Sequence, residues 1–528
     1  MALTGARALP RPFLSPIGWL ALVAGLAVGA PLLGVALAAF GTETADIASR
    51  DIARYALTSA WLALLVGGAT ALSGTAAAWL VVMHRFPGRE IFAWALALPL
   101  AMPAFALAYG YSDLFDVAGP LRMWLRGSVG VDLPFEMRTV GGAAFILSAA
   151  FYPYVYLAMR ATFLNQSTNV LEAGRMLGCT GTSALWRVAL PMARPALAAG
   201  VALAMMETLA DYGAVRFLSV QTLTTGVVRA WSVYGSTVSA ARFALPLLLA
   251  AAVLLWLERA SRVGRSHESG RARWRPVEPT QLPLTRAWLA SVFCFTLLFA
   301  GLILPLAWLT WNLAGTDADW ARLGQALSNS LSLGAVGALV TVALATMLAL
   351  GTRELPIAAR VASLGYATPG AVMAIGLLAP ASVIWGLAPG SGATIALVLL
   401  VLAYAARLMA AALEPIDAGL ERVTPSMIQA ARTLGRGETR AALEVQLPMA
   451  RGAMLTAALI VFIDVLKELP ATLILRPFDF DTLAVIASNY ALDERLGQAG
   501  LPSIMIVVLS LPAVIWLSRR IAAARPGA

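Results

Sequence analysis

The sequence predicts an all-α polytopic membrane protein of about twelve transmembrane helices, arranged as two parallel six-helix repeats. Three observations predict it. Apolar residues fill 60% of the 528 positions and charged residues only 12%, about half the charged share of a soluble domain. Mean hydropathy is +0.78, more apolar surface than a soluble chain hides behind so few charges. Disorder, a disulfide scaffold and a coiled coil are excluded on the same ground. Finally, one motif recurs at a constant offset of 257 residues.

The elements follow in order. Arg7 and Arg11 precede an apolar run over 17–40, too long for a signal-peptide core and without a clear cleavage site, so a retained anchor is expected. Runs of about the ~20 residues that a bilayer core requires then cover 56–82, 91–112, 139–160, 192–213 and 241–257. A second set covers 287–311, 328–350, 361–386, 392–412, 450–474 and 501–518. Between the sets, Arg259 to Thr285 is rich in Arg, Ser, Gly, Glu and Pro and reads as a cytoplasmic linker. The chain thus divides into a first half, 1–258, a linker, 259–285, and a second half, 286–528. An even number of spans per half makes the halves parallel, related by an axis along the membrane normal.

Charge sets the orientation. Lys467 is the only lysine; with the N-terminus inside, 26 of the 37 arginines, Arg407 among them, fall on the inner side. This positive-inside pattern puts both termini in the cytoplasm. The arginines form short clusters between apolar runs rather than one stripe, so the expected partner is the lipid bilayer and not a nucleic acid. The outer loop 113–138, with Leu121, Met123, Trp124 and Leu125 among charges, is expected to form a short amphipathic helix. Cys179 and Cys294 lie far apart, and His84 and His267 offer no paired metal site.

The repeat is visible in residues. After the fourth run the chain reads Glu172-Ala173-Gly174, then Gly178, then Val188-Ala189-Leu190-Pro191. After the tenth it reads Gln429-Ala430-Ala431, then Gly435, then Val445-Gln446-Leu447-Pro448. Gapless agreement at one offset argues for duplication. The glycines suit helix C-caps, Thr182 and Thr439 suit N-caps of a second short helix, and each Leu-Pro suits entry into the next membrane helix. The short helices carry Ala184, Leu185 and Trp186 in one copy and Ala441, Ala442 and Leu443 in the other. Apolar residues on a watery face, in two matched copies, point to a docking surface rather than a solvated loop.

This pattern resembles the EAA loop of permease subunits of binding-protein-dependent ABC importers: Glu-Ala-Ala, three residues, Gly, nine residues, Ile, one residue, Leu-Pro. Copy one departs at Gly174 and Val188, copy two at Gln429 and Val445. The resemblance implies a type I, MetI-like permease fold with two fused permease units, their cores at about 55–258 and 327–519, in the bacterial inner membrane. It implies that each loop receives one of two cytoplasmic ABC ATPase subunits. The contact residues would be Glu172, Ala173, Gly174, Gly178, Leu190 and Pro191 in one loop and Gln429, Ala430, Ala431, Gly435, Leu447 and Pro448 in the other. ATP is then used by the partner, no cofactor is bound by this chain, and a periplasmic binding protein delivers substrate. Segments 206–213, 464–472 and 475–484 are similar to the ferric-iron permease family, which implies ferric iron as cargo. Thiamine permeases share the fused layout. A twelve-helix secondary transporter shares the gross layout, but the duplicated loop has no purpose in it.

Four acids fall inside the membrane runs: Glu207 and Asp211 in the fifth, Asp464 and Glu468 in the eleventh, again at offset 257. Each pair is spaced i, i+4, so both acids are expected on one helix face. Acids in a span face a cavity or a partner. One reading is structural, with Lys467 and Arg216 as counter-charges. The other is a translocation pathway, because carboxylate oxygens suit hard cations, with weak contact rather than a metal site, since passage requires release. Pro103 and Pro369, each seven residues before a glycine (Gly110 and Gly376), read as helix kinks. No Walker A motif, HExxH or nucleophile elbow occurs, so the chain is expected not to be an enzyme.

Overall fold

Apolar runs in hydrocarbon have no water to satisfy their backbone, so each closes its hydrogen bonds within itself as a helix. The computed structural model of the chain describes residues 14–42, 49–132, 136–165, 176, 182–262, 279–352, 355, 365, 368–387 and 392–523. The principal helices of the first half are α1 (Pro16–Ala39), α2 (Ser49–Met83), α3 (Ala104–Phe115), α4 (Val140–Asn165), α5 (Leu185–Ala210) and α6 (Thr237–Arg262). Those of the second are α7 (Leu284–Trp311), α8 (Trp320–Gly351), α9 (Gly370–Leu387), α10 (Gly392–Leu420), α11 (Glu438–Lys467) and α12 (Leu496–Ala523). Among the described residues, ten helices are long and apolar enough to cross a bilayer, and one bent pair makes an eleventh. The chain is an all-α polytopic membrane protein. The start of the run expected over 361–386 lies largely outside the described residues; its remainder is α9.

The run expected over 91–112 is not one helix. It is split into Arg89–Ala101 and Ala104–Ser128, bent by 91°. Met102 before Pro103 is extended, with ψ 121°. A proline clashes with a helical residue before it and offers no N–H, so the kink expected at Pro103 becomes a full break.

α1 buries small residues, among them Ala21, Ala24, Gly25, Val28 and Gly29, and exposes Trp19, Leu26, Leu33 and Leu37. Large side chains outward and small ones at the contact is the pattern of a helix solvated by lipid. The first helix of each half packs on the other half: α1 on α8 and α9, α7 on α3. Gly376 of α9 meets the backbone of Pro31 in α1, and a Cβ at Gly376 would collide with the Pro31 carbonyl. Gly110 of α3 likewise faces Pro305 of α7, where an added Cβ would stand 3.4 Å away. The paired Pro-to-Gly spacings therefore mark where the exchanged helices cross, a role that kinking alone does not explain.

Among the described residues three five-residue π turns occur, Leu185–Ala189, Phe299–Ile303 and Ala442–Gln446, and each runs straight into a Leu-Pro. A proline ring collides with the carbonyl four residues back, and a wider turn relieves that clash without ending the helix. Each Leu-Pro thus follows a π bulge inside α5, α7 or α11 and is not the entry to a separate helix. The linker ends beside α2, where His84–Arg85 pairs in parallel with Thr280–Gln281.

Candidate functional site

Two helix ends set the central geometry. Asp211 is extended (φ −64°, ψ 134°) and stops α5 at Ala210; Glu468 (φ −70°, ψ 123°) stops α11 at Lys467. Short helices follow, Gly213–Phe217 and Pro470–Leu475. The continuous helices expected over 192–213 and 450–474 are therefore broken at equivalent points of the repeat. The carboxylates themselves satisfy the freed backbone: Asp211 Oδ1 accepts the Val215 N–H at 3.1 Å. Glu468 accepts the N–H groups of Ala471 and Thr472, both at 3.1 Å. Capping by an acid substitutes for water at a helix start inside a protein. Asp211 and Glu468 thus do not continue the helix faces of Glu207 and Asp464, a correction to the i, i+4 reading.

All four acids nevertheless line one cavity of about 90 Å³ between the halves. The sequence reading missed the residue that joins them. Arg407, counted above with the inner-side arginines, lies inside α10 with its side chain 15% exposed. Its Nη1 stands 3.0 Å from Glu468 Oε1 and its Nη2 3.5 Å from Glu207 Oε2. The signal was present: the run expected over 392–412 contains this one arginine. Lys467 Nζ holds Asp464 Oδ1 at 3.0 Å and donates to the Leu100 carbonyl at 3.1 Å, across the boundary between halves. Arg216 does not join the acids; it lines a separate hollow. With all six groups ionised the lining carries a formal −2, four carboxylates against Arg407 and Lys467.

Glu468 is the most tightly held of the four. Its side chain is 0% exposed, Thr472 Oγ1 donates to its Oε2 at 3.0 Å, and Tyr404 Oη lies 2.7 Å from that same hydroxyl. A Cβ at Gly370, the first residue of α9, would collide with its Oε1. Glu207 and Asp464, by contrast, keep 25% and 29% of their side chains exposed. Among the described residues no group of three or more His, Cys, Asp and Glu is placed to hold a metal ion.

At one end of the bundle lies the duplicated loop. Glu172, Ala173, Gly174 and Gly178 lie outside the described residues. In the second copy, helix Pro425–Thr433 carries Gln429, Ala430 and Ala431 and ends at Gly435, whose φ is +77°. Left-handed backbone there lets the Arg436 N–H reach the Ala431 carbonyl at 3.1 Å. The next helix starts at Glu438 with Gly437 at the cap, so Thr439 sits inside it and is not the N-cap. Arg432–Glu438 (2.7 Å) joins the two helices, and Arg436–Glu444 (3.1 Å) ties the turn between them to the second. Ala441 and Ala442 are buried, as is Ala184 in copy one; Trp186 and Leu443, 257 residues apart, are exposed at 61% and 59%. Leu190, Pro191, Leu447 and Pro448 lie at the starts of the straight segments of α5 and α11.

At the opposite end, the helix expected in loop 113–138 is present as Pro120–Ser128. Asp132 ties it down, accepting from Arg122 Nε at 2.6 Å and Arg126 Nη2 at 2.7 Å. Those two hydrogen bonds hold the Asp132 carboxyl well below the ordinary carboxylate range.

Residues 69–263 match the family model of the binding-protein-dependent transport system inner membrane component. The chain is 25% identical to the Fe(3+)-transport system permease protein FbpB 2 of Haemophilus influenzae, over 84% of this chain and 86% of that one. It is 30% identical to the sulfate transport system permease protein CysT of Escherichia coli over 32% of this chain, and spans 59% of that relative's length. It is 26% identical to the molybdenum transport system permease protein ModB of Escherichia coli over 35% of this chain and 84% of that one.

Proposed function

We propose that this chain, a fused permease of a binding-protein-dependent ABC importer close to the ferric-iron family, carries ferric iron inward through the cavity between its halves. The observation that carries the reading is the cavity lined by Glu207, Asp211, Asp464 and Glu468, two acids from each half. Ferric ion is a hard cation, and carboxylate oxygens lower its dehydration cost. Because Arg407 and Lys467 already engage three of the four acids, the ion meets them loosely, as conduction requires. Glu207 and Asp464 are the contacts, while Asp211 and Glu468 fix the helix breaks that open the cavity.

Two cytoplasmic ATPase subunits dock on the duplicated loops, with Trp186 and Leu443 at the contacts, and a periplasmic binding protein delivers the ion to the opposite face. Both termini are then cytoplasmic. Sulfate and molybdate permeases also match parts of the chain, but an acid-lined cavity repels an oxyanion. The test is uptake by the chain reconstituted with its ATPase and binding protein. ATP-dependent entry of radiolabelled ferric iron is expected, without entry of sulfate, molybdate or thiamine. Uptake of any of these three in place of iron refutes the cargo assignment. Uptake driven by an ion gradient without ATPase refutes the importer reading as a whole.

A further inference from the structure

The two halves build the same loop beyond the broken helices of α5 and α11. Ser219 and Asp479 both take positive φ (58° and 61°) without being glycine. Thr222 and Thr482 cap the helices that follow, Leu223–Ser232 and Leu483–Leu492. The Leu223 and Leu483 N–H groups donate to Ser59 Oγ and Ser330 Oγ, each at 2.8 Å. The backbone device is shared; the charges on it are not.

In the second half the arginines are answered by an acid. Asp481 sits in the place of Gln221 and engages both Arg476 and Arg322, the latter at 3.0 Å. Asn489 stands in the place of Arg229. In the first half Arg138, Arg216 and Arg229 line one hollow of about 380 Å³ with Tyr55 and Gln221. An adjoining hollow of about 270 Å³ adds Arg54 and shares Arg229. Arg138 pairs with Asp116 at 3.1 Å. Arg229 leans on two tyrosines, donating to Tyr55 Oη at 3.4 Å with its guanidinium 5.7 Å above the Tyr234 ring. Among the described residues Arg54 and Arg216 form no ion pair. Asp51 and Glu494 are the acids lining the two hollows.

The same face exposes apolar groups. Val233, Tyr234 and Leu492 are 66%, 48% and 44% exposed, and Phe478 is 99% exposed. Arginine and tyrosine around exposed apolar residues are the composition of a protein interface core, where lysine and acids are depleted. Arginine also offers carboxylates a planar, two-pronged contact.

We propose that this arginine lip on the first half docks acidic side chains of the binding protein, so that the partner seats in one orientation over two unequal halves. The inference rests on the importer reading and adds to it the surface and its chemistry. The lip lies beyond α5 from the coupling loop, on the face where the importer reading places the binding protein. An anionic contact on the first half leaves a cationic or neutral one for the acid-bearing second half. Reversed docking would set acids against Asp479 and Asp493, both exposed, a like-charge penalty that selects orientation.

The test uses the full chain with its ATPase in lipid nanodiscs and the soluble binding protein as probe. The double variant Arg54→Gln/Arg216→Gln should weaken binding roughly tenfold at low salt and flatten its salt dependence. Arg216→Glu should bind less well than Arg216→Gln, and Arg495→Gln on the second half should bind as the parent does. Both lip arginines are free of ion pairs, so basal ATPase activity should be unchanged. Equal affinity and salt dependence in parent and double variant would overturn the lip while leaving the importer reading intact. Saturable binding of inorganic phosphate to the transporter alone, lost in the double variant, would reassign the hollow to a free oxyanion and also overturn it. A parent transporter that binds no binding protein overturns the importer reading itself.

Discussion

Arg407 of the second half reaches Glu207 of the first at 3.5 Å while its other terminal nitrogen holds Glu468 at 3.0 Å. One guanidinium thus ties a cavity acid of each half together at the membrane interior. The Glu468 side chain is 0% exposed and the Arg407 side chain 15%. Breaking a buried pair strands a charge, at a cost of roughly 3–5 kcal/mol. Arg407→Gln is therefore expected to lower the unfolding midpoint of the purified chain strongly. The double variant Arg407→Gln/Glu468→Gln should recover part of the loss, and an additive double-mutant cycle would show the pair to be uncoupled.

The four cavity acids should separate by role. Asp211→Ala and Glu468→Ala remove the carboxylate that accepts the Val215 N–H at one break and the Ala471 and Thr472 N–H groups at the other, at about 1 kcal/mol for a lost cap and more at the buried Glu468. Their first readout is thermal stability. Glu207→Gln and Asp464→Asn leave the helix breaks intact, so purified yield and melting should stay near the parent while transport falls. Equal stability losses in all four would assign every acid to structure.

Much of this was legible in the residues. The two halves, the duplicated loop and the four acids follow from run lengths and one constant offset. The helix breaks were not legible, because Asp211 and Glu468 sit inside unbroken apolar runs and hydropathy does not distinguish a helix interior from its capped end. Arg407 was obscured by the topology rule, which assigns a cation near a run's end to the inner side. Gly376 and Gly110 read as parts of kinks because a crossing helix from the other half leaves no local pattern. The π turns before Leu190, Leu304 and Leu447 have a local cause in the following prolines, but the same Leu-Pro suits a helix start equally well.

The coupling loops predict a selective loss. Trp186→Asp and Leu443→Asp change exposed side chains at matched positions, so the fold should hold while ATPase co-purification drops. Gly435→Ala forces a side chain into φ +77°, costing about 1 kcal/mol locally, and should loosen the Arg432–Glu438 and Arg436–Glu444 clamps. Co-purification unchanged in the double aspartate variant would remove the loops from the interface.

The outer helix Pro120–Ser128 should be insensitive to mild acid. Asp132 has a depressed pKa, so its contribution is present above the ordinary carboxylate value of 3.8 and fades only as pH falls through the lower folded value. Proteolysis of residues 120–132 should be the same at pH 7 and pH 5 in the parent, and faster at both in Asp132→Asn. A parent loop that opens between pH 7 and pH 5 would contradict the Arg122–Asp132–Arg126 assignment.

The central claim is that the cavity between the halves carries the cation, with Glu207 and Asp464 as its contacts. Its most direct test is ATP-driven uptake of radiolabelled ferric iron by proteoliposomes containing the assembled transporter, comparing the parent with Glu207→Gln/Asp464→Asn. The account predicts iron uptake reduced at least about tenfold, ~1.4 kcal/mol in the transport barrier, with ATPase assembly and binding-protein docking retained. Iron uptake at the parent rate in the assembled double variant would contradict it.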